Sequence, residues 1–134
     1  MAAAPFNWSV RVYYEDTDIA GVVYHANYMR YFERARTEWL RHLGLSQEKL
    51  LAEHGLKFVV RRATLDFAAA ARLDDLLQIS VRLMKFAGAS VHLEQEACID
   101  GRRLCSGTVQ VACVRDADFQ PVAIPEFIKV KMQS

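Results

Sequence analysis

The sequence predicts an α+β fold in which one long helix is wrapped by a curved antiparallel sheet. Three observations carry this. A single long segment, from about Asn27, holds apolar residues at helical spacing. One strand-like segment precedes it, and four or five follow. Helical and strand-like elements are therefore segregated rather than alternating, which is the pattern of α+β proteins and not of parallel βαβ sheets.

The elements follow in order. "FNWSVRVYY" alternates and is rich in β formers, so it predicts a first strand reaching Tyr14. "EDTDIAGVV" reads as a loop. Tyr28, Phe32, Ala35, Trp39 and Leu43 then follow at spacings of four, three, four and four, one face of a helix. Arg30, Glu33, Arg34, Glu38 and Arg41 fall mostly outside that stripe, where they can pair at i,i+3 and i,i+4. Gly44 stands where a C-terminal cap belongs. Ser46 can cap a shorter helix, "QEKLLAEH", which Gly55 closes.

Strands come next. "KFVVRRATLDF" is the second. "LLQISVRLM" places Leu77, Ile79, Val81 and Leu83 on one face, and "SVHLEQEACI" does the same with Val91, Leu93, Ala97 and Ile99. "LCSGTVQVACVR" is more evenly apolar, as a strand in the sheet interior would be. "QPVAIP" predicts a last short strand and "EFIKVKM" a final helical turn.

A length of 134 residues fits one domain, residues 1–134. Seventeen Lys and Arg against 16 Asp and Glu give no support for a nucleic-acid or membrane-surface role. "MAAAPFNWSV" lacks the basic and apolar regions of a signal peptide, and no apolar run is long enough for membrane insertion. The cysteines are Cys98, Cys105 and Cys113, an odd count without a C-x-x-C pair. If Asp100-Gly101 is a two-residue hairpin loop, Cys98 faces Arg103 and Glu96 faces Cys105, so these two thiols are out of register for a bridge. Reduced, mostly buried thiols fit a cytoplasmic protein.

The stretch "VYYEDTDIAGVVYHANY", Val12 to Tyr28, crowds acids and a histidine against the start of the long helix. Asp16 and Asp18 form D-x-D. A calcium loop counted from Asp16 would have Ala20 at its fifth position and Asn27 at its twelfth, so only Gly21 matches. A phosphatase-like D-x-D needs a doubly wound domain that the element order excludes. The acids either cap turns or act in chemistry. The first amides of a helix lack intrahelical partners and can receive a developing oxyanion. A carboxylate beside them can attack a carbonyl or activate water, so acyl transfer is the chemistry this arrangement offers. Ser9 and Ser46 lack a G-x-S-x-G elbow, and the cysteines lie in strands without sign of activation. His25 is structural or functional on its position alone. Tyr13 and Tyr14 alternate at the predicted strand end, so one of them should point inward.

"RVYYEDTDIAGVVYHANYMRYFERARTEWLR" resembles the active-site signature of the 4-hydroxybenzoyl-CoA thioesterase class of hotdog-fold proteins. Within that class it is most similar to the YbgC-type acyl-CoA thioesterases, encoded alongside the Tol–Pal envelope system in many bacteria. The pattern is Arg11-Val12, Thr17-Asp18, Gly21-Val22-Val23-Tyr24 and Asn27-Tyr28 at set spacing, and the resemblance continues through "FVVRRATLDF" and "ARLDDLLQI". It implies a hotdog fold and hydrolysis of acyl-CoA thioesters without metal or cofactor. It implies a catalytic carboxylate at Asp18, assistance from Tyr14 and His25, and a polarising backbone amide near His25. It implies homodimers or homotetramers with shared sites. The hydratase motif D-x-N-P-x-H and the dehydratase motif H-x-P-x-x-P-G are absent. Arg61, Arg62 and Lys85 are candidates for the CoA phosphates, although this chain has Lys85-Phe86-Ala87 where family members often carry an arginine. The expected function is hydrolysis of short- to medium-chain or aromatic acyl-CoA, with Asp18 as nucleophile or general base. The alternative is a module that binds acyl chains or acyl carrier protein in envelope lipid metabolism.

Overall fold

A computed structural model describes residues 4–134. Among them β1 (Phe6–Arg11) leads to α1 (Asn27–His42) and α2 (Gln47–His54). β2 (Leu56–Phe67), β3 (Leu76–Ala87), β4 (Ser90–Ile99), β5 (Arg102–Arg115) and α3 (Glu126–Gln133) follow. The five strands form one antiparallel sheet in the order β1-β3-β4-β5-β2, and α1 packs chiefly on β3. The predicted α+β class, hotdog fold and interior position of "LCSGTVQVACVR" are all present.

The helical stripe explains the core. Tyr28, Phe32, Ala35 and Trp39 are buried, joined by Tyr31 and Leu40, and they form one cluster with Leu77, Ile79, Val81 and Leu93. Each large apolar side chain removed from water contributes about 1.5–3 kcal/mol, enough for this face alone to hold helix and sheet together. One charged residue joins the stripe. Arg36 is buried, and its Nη1 donates to Gln95 Oε1 at 3.0 Å. Gln95 Nε2 in turn donates to the Phe32 carbonyl at 3.1 Å and the Ser80 carbonyl at 3.2 Å, tying α1 to the middle of the sheet.

α2 has the predicted limits, with Ser46 Oγ accepting from Lys49 N–H at 3.2 Å and Gly55 closing it at φ 63°. Four expectations are corrected. β1 ends at Arg11, because its pairing with β3 stops at Leu76 and the chain then enters a 3-10 turn, Tyr14–Asp16. "QPVAIP" makes only an isolated bridge, Val114 to Pro121. "EFIKVKM" is a helix of 8 residues rather than one turn. Cys98 does face Arg103, but Glu96 faces Ser106 rather than Cys105. Leu104 is an extra, fully buried residue that shifts the register between Ala97 and Cys98. All three thiols are free.

Candidate active site

The acid-rich stretch is a pinched loop that returns the chain from β1 to the start of α1. Its arms are joined by a bridge between Thr17 and Val23. Beyond the bridge, Asp18 N–H donates to the Val22 carbonyl at 2.9 Å and Gly21 N–H to the Asp18 carbonyl at 2.9 Å, which closes a turn. Gly21 has φ 80°, a conformation glycine adopts without the steric cost a side chain would bring.

Asp18 sits at this turn, half-buried. Its Oδ1 accepts from Ala20 N–H at 2.9 Å, and among the described residues Oδ2 has no partner. Asp16, two residues earlier, faces the other way. It is 5% exposed, and both of its carboxylate oxygens are engaged: Oδ2 accepts from Tyr13 N–H at 2.8 Å and Oδ1 from Asn27 Nδ2 at 2.6 Å. The two acids of D-x-D are therefore distinct, one enclosed and saturated, the other half-open with a free oxygen.

The helix start also departs from expectation. Asn27 N–H donates to the Tyr24 carbonyl at 2.8 Å, Tyr28 N–H to His25 at 3.4 Å and Met29 N–H to Ala26 at 3.2 Å. The first helical amides are thus consumed by tight i→i+3 turns. The amides left without an acceptor among the described residues are those of His25 and Ala26, just before the helix. These two amides, one or two residues upstream of the helix, are the ones available to donate to an anion.

His25 is exposed, its ring 4.5 Å from that of Tyr24 and 6.2 Å, edge-on, from Phe67. Phe67, at the end of β2, also meets Tyr28 at 5.7 Å. Nothing in the local sequence marks Phe67. Its neighbourhood depends on β2 ending beside α1, sequence-distant from the motif. The expectation that Tyr13 or Tyr14 points inward is corrected: they are 61% and 83% exposed, because the chain has left the sheet before reaching them. The Tyr14 side chain has no hydrogen bond or ring contact with Asp18 or His25. Tyr31, fully buried, lies beside Asp16 and Asn27, and its hydroxyl makes no hydrogen bond of good geometry. Burial pushes that phenol well above its ordinary pKa.

The proposed phosphate contacts are partly assembled. Lys85, His92, Gln110 and Arg62 pair in register across four strands, β3 to β2, on the sheet face away from α1. They line a cleft of about 450 Å³ together with Thr64 and Thr108. Arg61 does not share it, being the unpaired residue where the register shifts between Val60 and Arg62. Among the described residues, no cluster of three or more His, Cys, Asp or Glu could hold a metal ion. No helix among them is long and apolar enough to cross a membrane.

A family model described as the thioesterase-like superfamily matches residues 12–132. The chain is 48% identical over 124 residues to the acyl-CoA thioesterase YbgC of Haemophilus influenzae, covering 92% of this chain and 91% of that protein. It is 37% identical over 128 residues to the acyl-CoA thioesterase YbgC of Helicobacter pylori, covering 89% and 93%. Among solved structures, a probable thioesterase from Bartonella henselae superposes with a TM-score of 0.87 at 35% identity, over 91% of this chain and 100% of that one.

Proposed function

The chain belongs to the thioesterase-like superfamily, among the YbgC-type acyl-CoA thioesterases, and we propose that it hydrolyses short- to medium-chain or aromatic acyl-CoA to free acid and CoA through Asp18. The observation that carries the reading is the free Oδ2 of Asp18, on a turn tied by a short ladder of hydrogen bonds to the arm that carries the two unbonded amides of His25 and Ala26. A thioester carbonyl polarised by those amides presents its carbon to the carboxylate. As nucleophile, Oδ2 bonds to that carbon and CoA leaves as thiolate. Water then cleaves the mixed anhydride and regenerates the carboxylate. As general base, Oδ2 takes the proton of a water that attacks the same carbon, and CoA again leaves. Both routes need the charge on Asp18 and the amides opposite. His25, between Tyr24 and Phe67, is suited to orienting the thioester or the water, and Tyr14, four residues before Asp18, keeps an assisting role on the family resemblance alone.

The test is CoA release by free-thiol detection over a panel of acyl-CoA thioesters, with Asp18→Asn beside the wild type. Positioned acid–base groups contribute about 100- to 10,000-fold, and a loss in that range is expected. Retention of more than about a tenth of wild-type kcat would remove Asp18 from the role, since even the low end of that range is larger.

Residues 1–134 act as one domain in the cytoplasm on this reading. Arg62 and Lys85 contact CoA phosphates, which their shared cleft supports. The working unit is a homodimer or homotetramer. β2 supports this: it is an edge strand of 12 residues whose outer side has no partner among the described residues, and such edges are commonly paired or covered. Light scattering on dilution tests it, and a fully active monomer would refute it.

A further inference from the structure

We propose that Asp16 is a positioning residue for this reaction, a buried carboxylate that clamps the catalytic turn to the start of α1. The proposal rests on the reading that Asp18 does the chemistry. Four contacts meet on Asp16: Tyr13 N–H to Oδ2, Asn27 Nδ2 to Oδ1, Tyr24 N–H to the Asp16 carbonyl at 2.9 Å, and Asp16 N–H to the Tyr13 carbonyl at 3.0 Å. They hold the strand exit, the helix start and the return arm of the loop to one residue. From there the two arms run as a short ladder. The bridge between Thr17 and Val23 is the next rung, and Asp18 N–H to Val22 is the last. The first rung thus sits two residues from Asp18 on one arm and one residue from His25 on the other. A shift at Asp16 therefore changes the separation between the acid and the two free amides.

A passive anchor here would more cheaply be apolar. Enclosing a carboxylate is costly unless hydrogen bonds satisfy it, and this one is satisfied on both oxygens. What the carboxylate provides and an apolar group does not is direction. Each oxygen fixes one donor, so the helix start and the loop are held in angle as well as in distance. Asn27 is itself buried at 6% exposure, so its amide has little freedom to seek another partner.

The test removes the acceptors, then exchanges donor and acceptor. Asp16→Ala removes both acceptors at once, whereas an amide at position 16 could keep both contacts if the Asn27 amide turned over. A misplacement of about 1 Å at a reacting group costs on the order of 100-fold, so kcat in Asp16→Ala should fall about 10- to 100-fold with KM changed less than about threefold. Asn27→Asp, which opposes two carboxylates, should fall similarly. When Asp16→Asn and Asn27→Asp are combined, the amide oxygen introduced at position 16 still accepts from Tyr13 N–H, while the amide nitrogen donates to the carboxylate introduced at position 27. That double variant should recover to within about threefold of wild type, because the geometry is restored with the polarity reversed. All kcat values are read at a temperature where circular dichroism shows each variant folded, so a purely stabilising role would lower Tm and leave kcat unchanged. Unchanged kcat in Asp16→Ala, or a double variant no better than Asn27→Asp alone, overturns the proposal. If Asp16→Ala does not fold, Asn27→Ala is read instead, and an unchanged kcat there overturns it equally. Asp18→Asn is run in parallel. Activity retained in that variant defeats the underlying reading. Activity lost there but kept in Asp16→Ala defeats only the clamp.

Discussion

The roles of the His25 side chain and the His25 amide are separable by two substitutions at one position. Asn27 N–H to the Tyr24 carbonyl closes a four-residue turn with His25 second. Proline suits that position, since its fixed φ is the one such a turn requires. Tyr24 follows the bridge residue Val23 and lies outside any helix, so it tolerates a following proline. The His25 amide has no acceptor among the described residues, so deleting it orphans no protein group there. His25→Pro therefore removes one polarising donor while preserving the turn. Losing one such donor costs about 100- to 1,000-fold, or about 2.7–4 kcal/mol of barrier. His25→Ala keeps the amide and loses only the ring, whose contacts with Tyr24 and Phe67 are worth about 0.5–1.5 kcal/mol each. Its kcat should fall about tenfold, less than in Asp18→Asn. Single-turnover kinetics with one acyl-CoA, alongside thermal melts, make the comparison. Equal losses in the two His25 variants would refute the amide's role. A His25→Ala loss matching that of Asp18→Asn would mean that the imidazole carries the chemistry.

Other outcomes are expected. Arg62→Glu should raise KM for acyl-CoA about 10- to 100-fold, as a charged hydrogen bond worth about 1.5–3 kcal/mol is lost; an equal rise with a pantetheine thioester lacking the nucleotide would detach Arg62 from the phosphates. Gly107→Ala should lose about 1–3 kcal/mol in urea unfolding, because its Cβ would meet the Thr64 backbone carbonyl, and Leu65 Cδ2 at 2.7 Å; a variant of unchanged stability would show that β2 and β5 can separate there. Burial pushes the Cys105 thiol up to about 11 and raises Cys113 and Cys98 as well, so no more than one thiol per native chain, the half-buried Cys98, should react promptly with a disulfide reagent at neutral pH, against three after denaturation. Mass spectrometry counts the adducts, and fast native labelling of Cys105 would contradict its enclosure.

What the sequence disclosed, it disclosed through local periods and fixed spacings. The stripe from Tyr28 to Trp39 and the alternation from Leu77 to Val81 each depend on one element's own geometry, and both are in the core. α2 was legible for the same reason, since Ser46 and Gly55 act on immediate neighbours. The misreadings share a different cause. Alternation through Tyr14 said nothing of where β3 begins, and pairing with β3 is what ends β1. No local pattern singles out Arg36, because the partner it is buried against, Gln95, is 59 positions away. Leu104 displaced the register by one residue, and only the packed sheet reveals where that extra residue went.

The same contrast separates the two acids of the motif. By spacing alone Asp16 and Asp18 are interchangeable: both precede the helix, and both can cap a turn. The difference lies in what each meets once the chain has folded back as far as Asn27, eleven positions beyond Asp16. Asn27 takes one oxygen of Asp16, the Tyr13 amide takes the other, and burial closes off the rest of the carboxylate from a substrate. Asp18 meets only Ala20 and keeps Oδ2. A carboxylate saturated by protein donors is a poor nucleophile and a poor base, because reaction would have to break those bonds first. A carboxylate held by one bond is oriented and still reactive. The pairing of a clamped acid with a free one, two residues apart, is therefore a physical reason for the motif to contain both. On the proposed reading the reactive acid is the second, since exchanging their environments would leave the turn unclamped and the acid occupied.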